Sequence, residues 1–157
     1  MTQQLESWCK TALANNNLST NYRLSIVSGD ASFRAYYRLQ LSDSSYIAVT
    51  APPVTEKNHE FVSIAKGLAA AGILVPKVLA ANYEQGFLLL SDLGDQMLLP
   101  LLDASGAPQY YRSAIDELVT LQGISAKSLA VPPYSAAALQ IELDVFSQWF
   151  LKDLSTQ

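Results

Sequence analysis

Ser28-Gly29-Asp30-Ala31-Ser32-Phe33-Arg34 is a short polar turn with one glycine, set between two runs of alternating apolar residues. Ahead of it, Tyr22, Leu24 and Ile26 alternate with Arg23 and Ser25. Behind it, Phe33, Ala35, Tyr37, Leu39 and Leu41 alternate with Arg34, Tyr36, Arg38 and Gln40. A period of two on both sides of a turn predicts a β-hairpin, because successive side chains of a strand point to opposite faces. The predicted tip gathers Gly29, the hydroxyls of Ser28 and Ser32, several backbone N–H groups and Arg34. Such a tip cradles phosphate when N–H dipoles and a guanidinium converge on negative charge. On the turn alone, a solvated tip that binds nothing is the stronger reading, since one glycine falls short of a full Gly-rich fingerprint.

Upstream of the hairpin, Leu5, Trp8, Cys9, Ala12 and Leu13 fall on one face of a helix that Asn15-Asn16-Asn17 ends. Trp8 and Cys9 read as core residues. Downstream, Ser42-Asp43-Ser44-Ser45 forms a second turn, residues 46–51 read as a third strand, and Pro52-Pro53 stops it. A helix is predicted over residues 56–71, with Phe61, Ile64, Ala65, Leu68 and Ala71 on its apolar face and Gly72 as its C-terminal cap. Glu60 lies at the edge of that face. It either turns toward the sheet or stays solvated in the first turn, where the helix dipole favours it. Pro76 opens a strand over residues 77–81, and a turn at residues 82–86 leads to another at 87–90. Beyond Ser91-Asp92-Leu93-Gly94-Asp95 the pattern is helical. Tyr111, Ala114, Ile115, Leu118 and Leu121 form one stripe ending at Gly123. After a loop at residues 127–133, Leu139, Leu143, Phe146 and Phe150 form another, with Trp149 beside it. The expected fold is α+β: five mostly antiparallel strands with a helix inserted after the third, then helices. The expected boundary places residues 1–92 in a first lobe and 93–157 in the start of a helical second one.

Half of the 157 residues are hydrophobic and 15% are charged, a composition that supports a buried core. The net charge of −4 argues against a nucleic-acid surface, which concentrates Lys and Arg, although the local pair Arg34 and Arg38 remains compatible with a nucleotide. A single cysteine, Cys9, rules out an intrachain disulfide and fits a reducing, cytoplasmic setting. With His59 as the sole histidine, neither a Cys/His zinc site nor a Cys–His catalytic pair is expected. No signal peptide or transmembrane run is read in the sequence, so no membrane partner is expected.

Four blocks carry a resemblance to a known family. They are Gly29-Asp30-Ala31-Ser32-Phe33-Arg34 with Tyr37-Arg38-Leu39; Ala51-Pro52-Pro53; Gly86-Phe87-Leu88-Leu89-Leu90-Ser91-Asp92-Leu93-Gly94; and Val131-Pro132-Pro133-Tyr134 followed by Glu142-Leu143 and residues 146–151. In this order they resemble the aminoglycoside phosphotransferase-like, protein-kinase-like family, and within it the bacterial kinases that phosphorylate N-acetylmuramate and N-acetylglucosamine at the anomeric hydroxyl. The resemblance implies a kinase-like small lobe followed by the first large-lobe helices. It implies ATP as phosphoryl donor, Mg²⁺ as metal, a sugar hydroxyl as acceptor and a place in cell-wall recycling. By position it assigns Ser28, Gly29, Asp30, Ala31, Ser32, Phe33 and Arg34 to the nucleotide phosphates, Glu60 to the helix glutamate of kinases, and Leu90, Ser91, Asp92 and Leu93 to a hinge whose backbone meets the adenine edge. Ile26, Phe33 and Leu90 are expected to floor the base pocket.

Two departures from the family pattern stand out. Aligned on Ile47-Ala48-Val49-Thr50, the third strand carries Thr50 where kinases place a phosphate-holding lysine. The His-x-Asp catalytic loop, its asparagine and the metal-binding Asp do not occur, since His59 is followed by Glu60 and Phe61. The resemblance therefore implies the N-terminal half of a kinase, inactive alone, with catalytic residues and Mg²⁺ ligands elsewhere. The alternative is a non-catalytic, kinase-like nucleotide-binding or interaction module, in which uncovered aromatics of the terminal helix lead to self-association.

Overall fold

The computed structural model describes residues 3–27, 33–102 and 106–151. The chain runs α1 (Gln3–Asn15), β1 (Arg23–Ile26), β2 (Ala35–Gln40), β3 (Ser45–Thr50), α2 (Asn58–Ala70), β4 (Val78–Asn82) and β5 (Phe87–Ser91). A 3₁₀ turn (Leu99–Leu101), α3 (Ala107–Gln122), α4 (Ala136–Val145) and a π-helical stretch (Phe146–Leu151) follow. The strands form one sheet in the order β1-β2-β3-β5-β4. Every pairing is antiparallel, so the mostly antiparallel sheet expected from sequence is antiparallel throughout.

The sheet is covered on both faces, and strand alternation assigns each side chain to one of them. On one face α1 buries Leu5, Cys9, Ala12 and Leu13 against Leu39, Ala48, Phe87 and Leu89. On the other, α2 buries Val62 among Val49, Ala51, Leu88 and Leu90. This explains why β5 reads as an unbroken apolar run: Phe87 and Leu89 serve one core, Leu88 and Leu90 the other. Cys9 is fully buried, and desolvation first and the Glu6 carboxylate second push its thiol up to about 12.

Helix α2 ends as its sequence predicts. Gly72 takes φ +87°. Its N–H reaches the Ala69 carbonyl and the Ile73 N–H reaches that of Leu68, which is the Schellman pairing. The buried face of α2 matches the expected one only at Ala65. Asn58, Val62 and Ala65 are its buried residues, while Phe61 and Ile64 are half-buried and Ala71 is exposed. Asn58 Nδ2 donates to the Ala51 carbonyl at 2.7 Å and fastens the helix start to the end of β3.

Helices α3 and α4 form where the apolar stripes predict them, and Ser135 caps α4 by accepting the Ala138 N–H at 3.1 Å. Neither helix nor the π-helical stretch after them buries a residue: Ile115, Leu118, Leu143, Phe146, Trp149 and Phe150 are all more than half exposed. Among the described residues, no helix is long and apolar enough to cross a membrane.

Candidate functional site

A cleft of about 230 Å³ opens beside the end of β5, on the α2 side of the sheet. Val27, Tyr36, Ile47, Pro76 and Leu90 give it apolar walls, and Asp92, Leu93, Gly94 and Asp95 form its rim. The register explains the lining. Ile47 pairs with Arg38 on one side and Leu90 on the other, so all three project to the same face. Of the residues expected to floor a base pocket, Leu90 lines this cleft and Ile26 and Phe33 do not. Ile26 pairs with Tyr37, which packs in the α1-side core, so its neighbour Val27 faces the cleft. Phe33 precedes β2 and is 73% exposed. The expected hinge residues Leu90, Ser91, Asp92 and Leu93 are all brought to this cleft. The tip residues Ser28, Gly29, Asp30, Ala31 and Ser32 lie outside the described residues.

The polar end of the cleft is organised by Arg38. Its Nε donates to Asp92 Oδ2 at 2.5 Å and its Nη2 to Asp92 Oδ1 at 3.2 Å. Nη2 also donates to Asp95 Oδ1 at 2.6 Å, and Nη1 donates to Asp95 Oδ2. Asp92 Oδ1 also accepts the Gly94 N–H at 2.9 Å, and the Asp92 side chain is only 4% exposed. Burial pushes the Asp92 carboxyl up, but hydrogen bonds from Arg38, Gly94 and Ser45 outweigh it and leave the group below the usual aspartate range. Arg38 likewise holds the exposed Asp95 carboxyl down. The sequence offered Arg38 as part of a family block and as a residue compatible with a nucleotide, without a partner. Its partners lie 54 and 57 residues away, beyond any local pattern.

Arg34 reaches the same side of the sheet, farther from the hinge. Its guanidinium lies 4.8 Å from the centroid of the Phe61 ring, and its Nε stands 2.9 Å from Glu56 Oε2, an ionic contact without hydrogen-bond alignment. Glu60 is exposed and lines a separate groove with Lys57, His59, Ser63 and residues 129–132. It thus takes the solvated of the two placements expected for it. His59 stacks on Tyr83, with ring centroids 3.8 Å apart. Thr50 does not occupy the position of a cleft-facing lysine. It pairs with Phe87 and shares that residue's α1-side face, while Val49 projects into the α2-side core. The blocks near the C-terminus also meet, as the Tyr134 hydroxyl donates to Glu142.

The cleft is thus an apolar slot beside a segment, residues 92–94, that is neither helix nor strand. Nothing comparable exists for Mg²⁺: among the described residues no three His, Cys, Asp or Glu side chains are placed to hold a metal ion.

Comparison with known proteins gives a consistent result. The chain is 38% identical over 155 residues to the N-acetylmuramate/N-acetylglucosamine kinase of Pseudomonas aeruginosa, a match covering 95% of this chain and 46% of that protein. It is 38% identical over 128 residues to the enzyme of the same name from Pseudomonas putida, covering 82% and 38%. The corresponding protein of Neisseria meningitidis is 30% identical over 153 residues, covering 94% and 44%. The chain thus spans about half the length of the curated relatives it matches. The pattern of the phosphotransferase enzyme family matches residues 23–151, from the first strand through the π-helical stretch, and the chain belongs to that family.

Proposed function

We propose that this chain is the nucleotide-binding half of an ATP-dependent kinase that phosphorylates a hydroxyl of an amino sugar. The observation carrying the reading is the apolar cleft bounded by Val27, Ile47 and Leu90, with Leu93 and Gly94 on its rim. The base lies in this slot with its polar edge against the backbone of residues 90–93. The phosphates are assigned to residues 28–34, the turn expected from sequence, with Arg34 among their contacts. The acceptor follows from the names of the relatives, which act on N-acetylmuramate and N-acetylglucosamine. Cell-wall recycling in the cytoplasm is the setting consistent with such a substrate. Mg²⁺ and the catalytic base act from residues this sequence does not contain, so these 157 residues alone transfer no phosphate. Phosphoryl transfer rests on positioning and charge neutralisation, and neither half of such a site works without the other.

Titration of the chain with adenosine and ATP, by calorimetry or NMR, tests the reading. Both are expected to bind with a dissociation constant of about 1 mM, equivalent to about 4 kcal/mol. Phosphorylation of N-acetylglucosamine should be undetectable. Binding of triphosphate without adenosine would overturn the hinge assignment and leave only an anion site.

A further inference from the structure

We propose that Arg38 is a positioning residue for the base: it clamps the segment that follows β5 and so sets the geometry of the cleft rim. This rests on the nucleotide reading above. Residues 92–94 carry neither helix nor strand, so no ladder of backbone hydrogen bonds fixes them. Side chains do so instead. Arg38 stands in the middle of β2, two strands away from β5, because the sheet order is β2-β3-β5. In register it aligns with Ile47 and Leu90, so its long side chain crosses β3 on the cleft face to reach Asp92 and Asp95. The clamp therefore ties the rim to the centre of a rigid sheet.

The geometry requires arginine. One carboxylate takes the Nε/Nη2 edge and the other the Nη1/Nη2 end, so all three guanidinium nitrogens are engaged at once. A lysine ammonium has no such planar fork. With its nitrogens so engaged, Arg38 acts on the base through the rim backbone and not as a phosphate ligand. Asp92 transmits the effect, since the oxygen that takes Nη2 also accepts the Gly94 N–H. A rim held in its binding geometry spares the ligand the cost of ordering it. The proposal also gives two sequence blocks a common purpose: Tyr37-Arg38-Leu39 and Ser91-Asp92-Leu93-Gly94-Asp95 hold one another.

The test compares adenosine, ATP and inorganic tripolyphosphate binding to the unaltered chain, Arg38→Met, Arg38→Lys, Asp92→Asn and the Arg38→Met/Asp92→Asn double variant. Arg38→Met and Asp92→Asn should each weaken adenosine by about fivefold or more, with the double variant no weaker than the poorer single one. ATP should lose the same factor, tripolyphosphate should not change, and Arg38→Lys should not restore affinity. Loss confined to ATP and tripolyphosphate would make Arg38 a phosphate ligand. Unchanged adenosine affinity in a folded Arg38→Met, or in Asp92→Asn should that variant fail to fold, would overturn the clamp. If the unaltered chain binds no adenosine, the nucleotide reading fails separately. The clamp is then judged by amide exchange at Leu93 and Gly94, which loss of the Arg38–Asp92 contact must accelerate and which unchanged exchange would refute.

Discussion

Among the glycines whose surroundings are described, Gly86 is the position where a single methyl group should do most damage. Its φ is +67°, and a Cβ built there would stand 2.1 Å from the Ala51 carbonyl oxygen and 2.9 Å from Pro53 Cδ. The obstruction is backbone, not the movable end of a side chain, so the turn before β5 must shift away from the end of β3. Two hydrogen bonds meet at that point: Ala51 N–H to the Gly86 carbonyl and Asn58 Nδ2 to the Ala51 carbonyl, each 2.7 Å long. Gly72 supplies the control. It also has positive φ, +87°, but nothing lies within 4 Å of its added Cβ. Gly72→Ala should therefore cost only the left-handed backbone term, about 1–2 kcal/mol. Gly86→Ala should add the weakening of two buried hydrogen bonds, about 1 kcal/mol each or more, for a total of about 3–5 kcal/mol. Urea unfolding followed by tryptophan fluorescence reads this directly, because the Trp8 ring packs 5.8 Å from that of Phe87, next to the altered residue. Equal losses in the two variants would refute the argument from close approach.

The remaining predictions concern ionisation and association. Cys9 should resist iodoacetamide at pH 8 in the native chain and react on unfolding, since it is fully buried with its thiol pushed up to about 12. Labelling in the folded state, followed by mass spectrometry, would contradict the burial. Asp92 and Asp95 are held below the usual range, so their pairing stabilises fully above the unfolded aspartate value of about 3.9 and is lost as pH falls through the lowered folded values. Urea midpoints measured from pH 7 to pH 3 should therefore drop in acid, and Arg38→Met should remove part of that drop. The exposed faces of α3, α4 and residues 146–151 should drive self-association of the chain. Light scattering at increasing concentration reads this, and a monomer at every concentration would count against it and against an interaction module built on that surface.

Short-range periodicity made most of the fold legible. Leu5, Cys9, Ala12 and Leu13 mark the buried face of α1 directly, alternation located β1 and β2, and turns and prolines bounded the other three strands. Where the reading slipped, two local patterns competed. Helix α2 carries apolar residues on two adjacent lines, Phe61–Ile64–Leu68 and Val62–Ala65. Ala65 was read on the apolar face and is buried, but only packing against Val49, Leu88 and Leu90 selects Val62 over Phe61 and Ile64 as its buried companion. Thr50 and Ile26 are each one residue out of register with the cleft, and in a strand one residue changes the face. The Arg38 clamp left no local trace, since neither partner lies in its own strand or turn. Helices α3 and α4 were legible as amphipathic, but a stripe of apolar residues does not name what covers it.

The charges on the cleft side of the sheet bear on where affinity for a nucleotide would come from. Val49 occupies the inward register at the end of β3, so that strand contributes no cation beside α2. The two guanidiniums that β2 and its leading residue send to this side are already matched by carboxylates, Arg34 by Glu56 and Arg38 by Asp92 and Asp95. The Arg38 group is more than neutralised, since two carboxylates share one guanidinium. A triphosphate thus meets a surface whose nearby positive charge is largely spoken for, whereas a flat base meets an apolar slot of about 230 Å³ with ordered backbone at its rim. Binding by this chain would then draw on the base more than on the phosphates. Release of the Arg34 guanidinium from Glu56 would be the local change that shifts the balance, because it would uncover a charge that the carboxylate now matches.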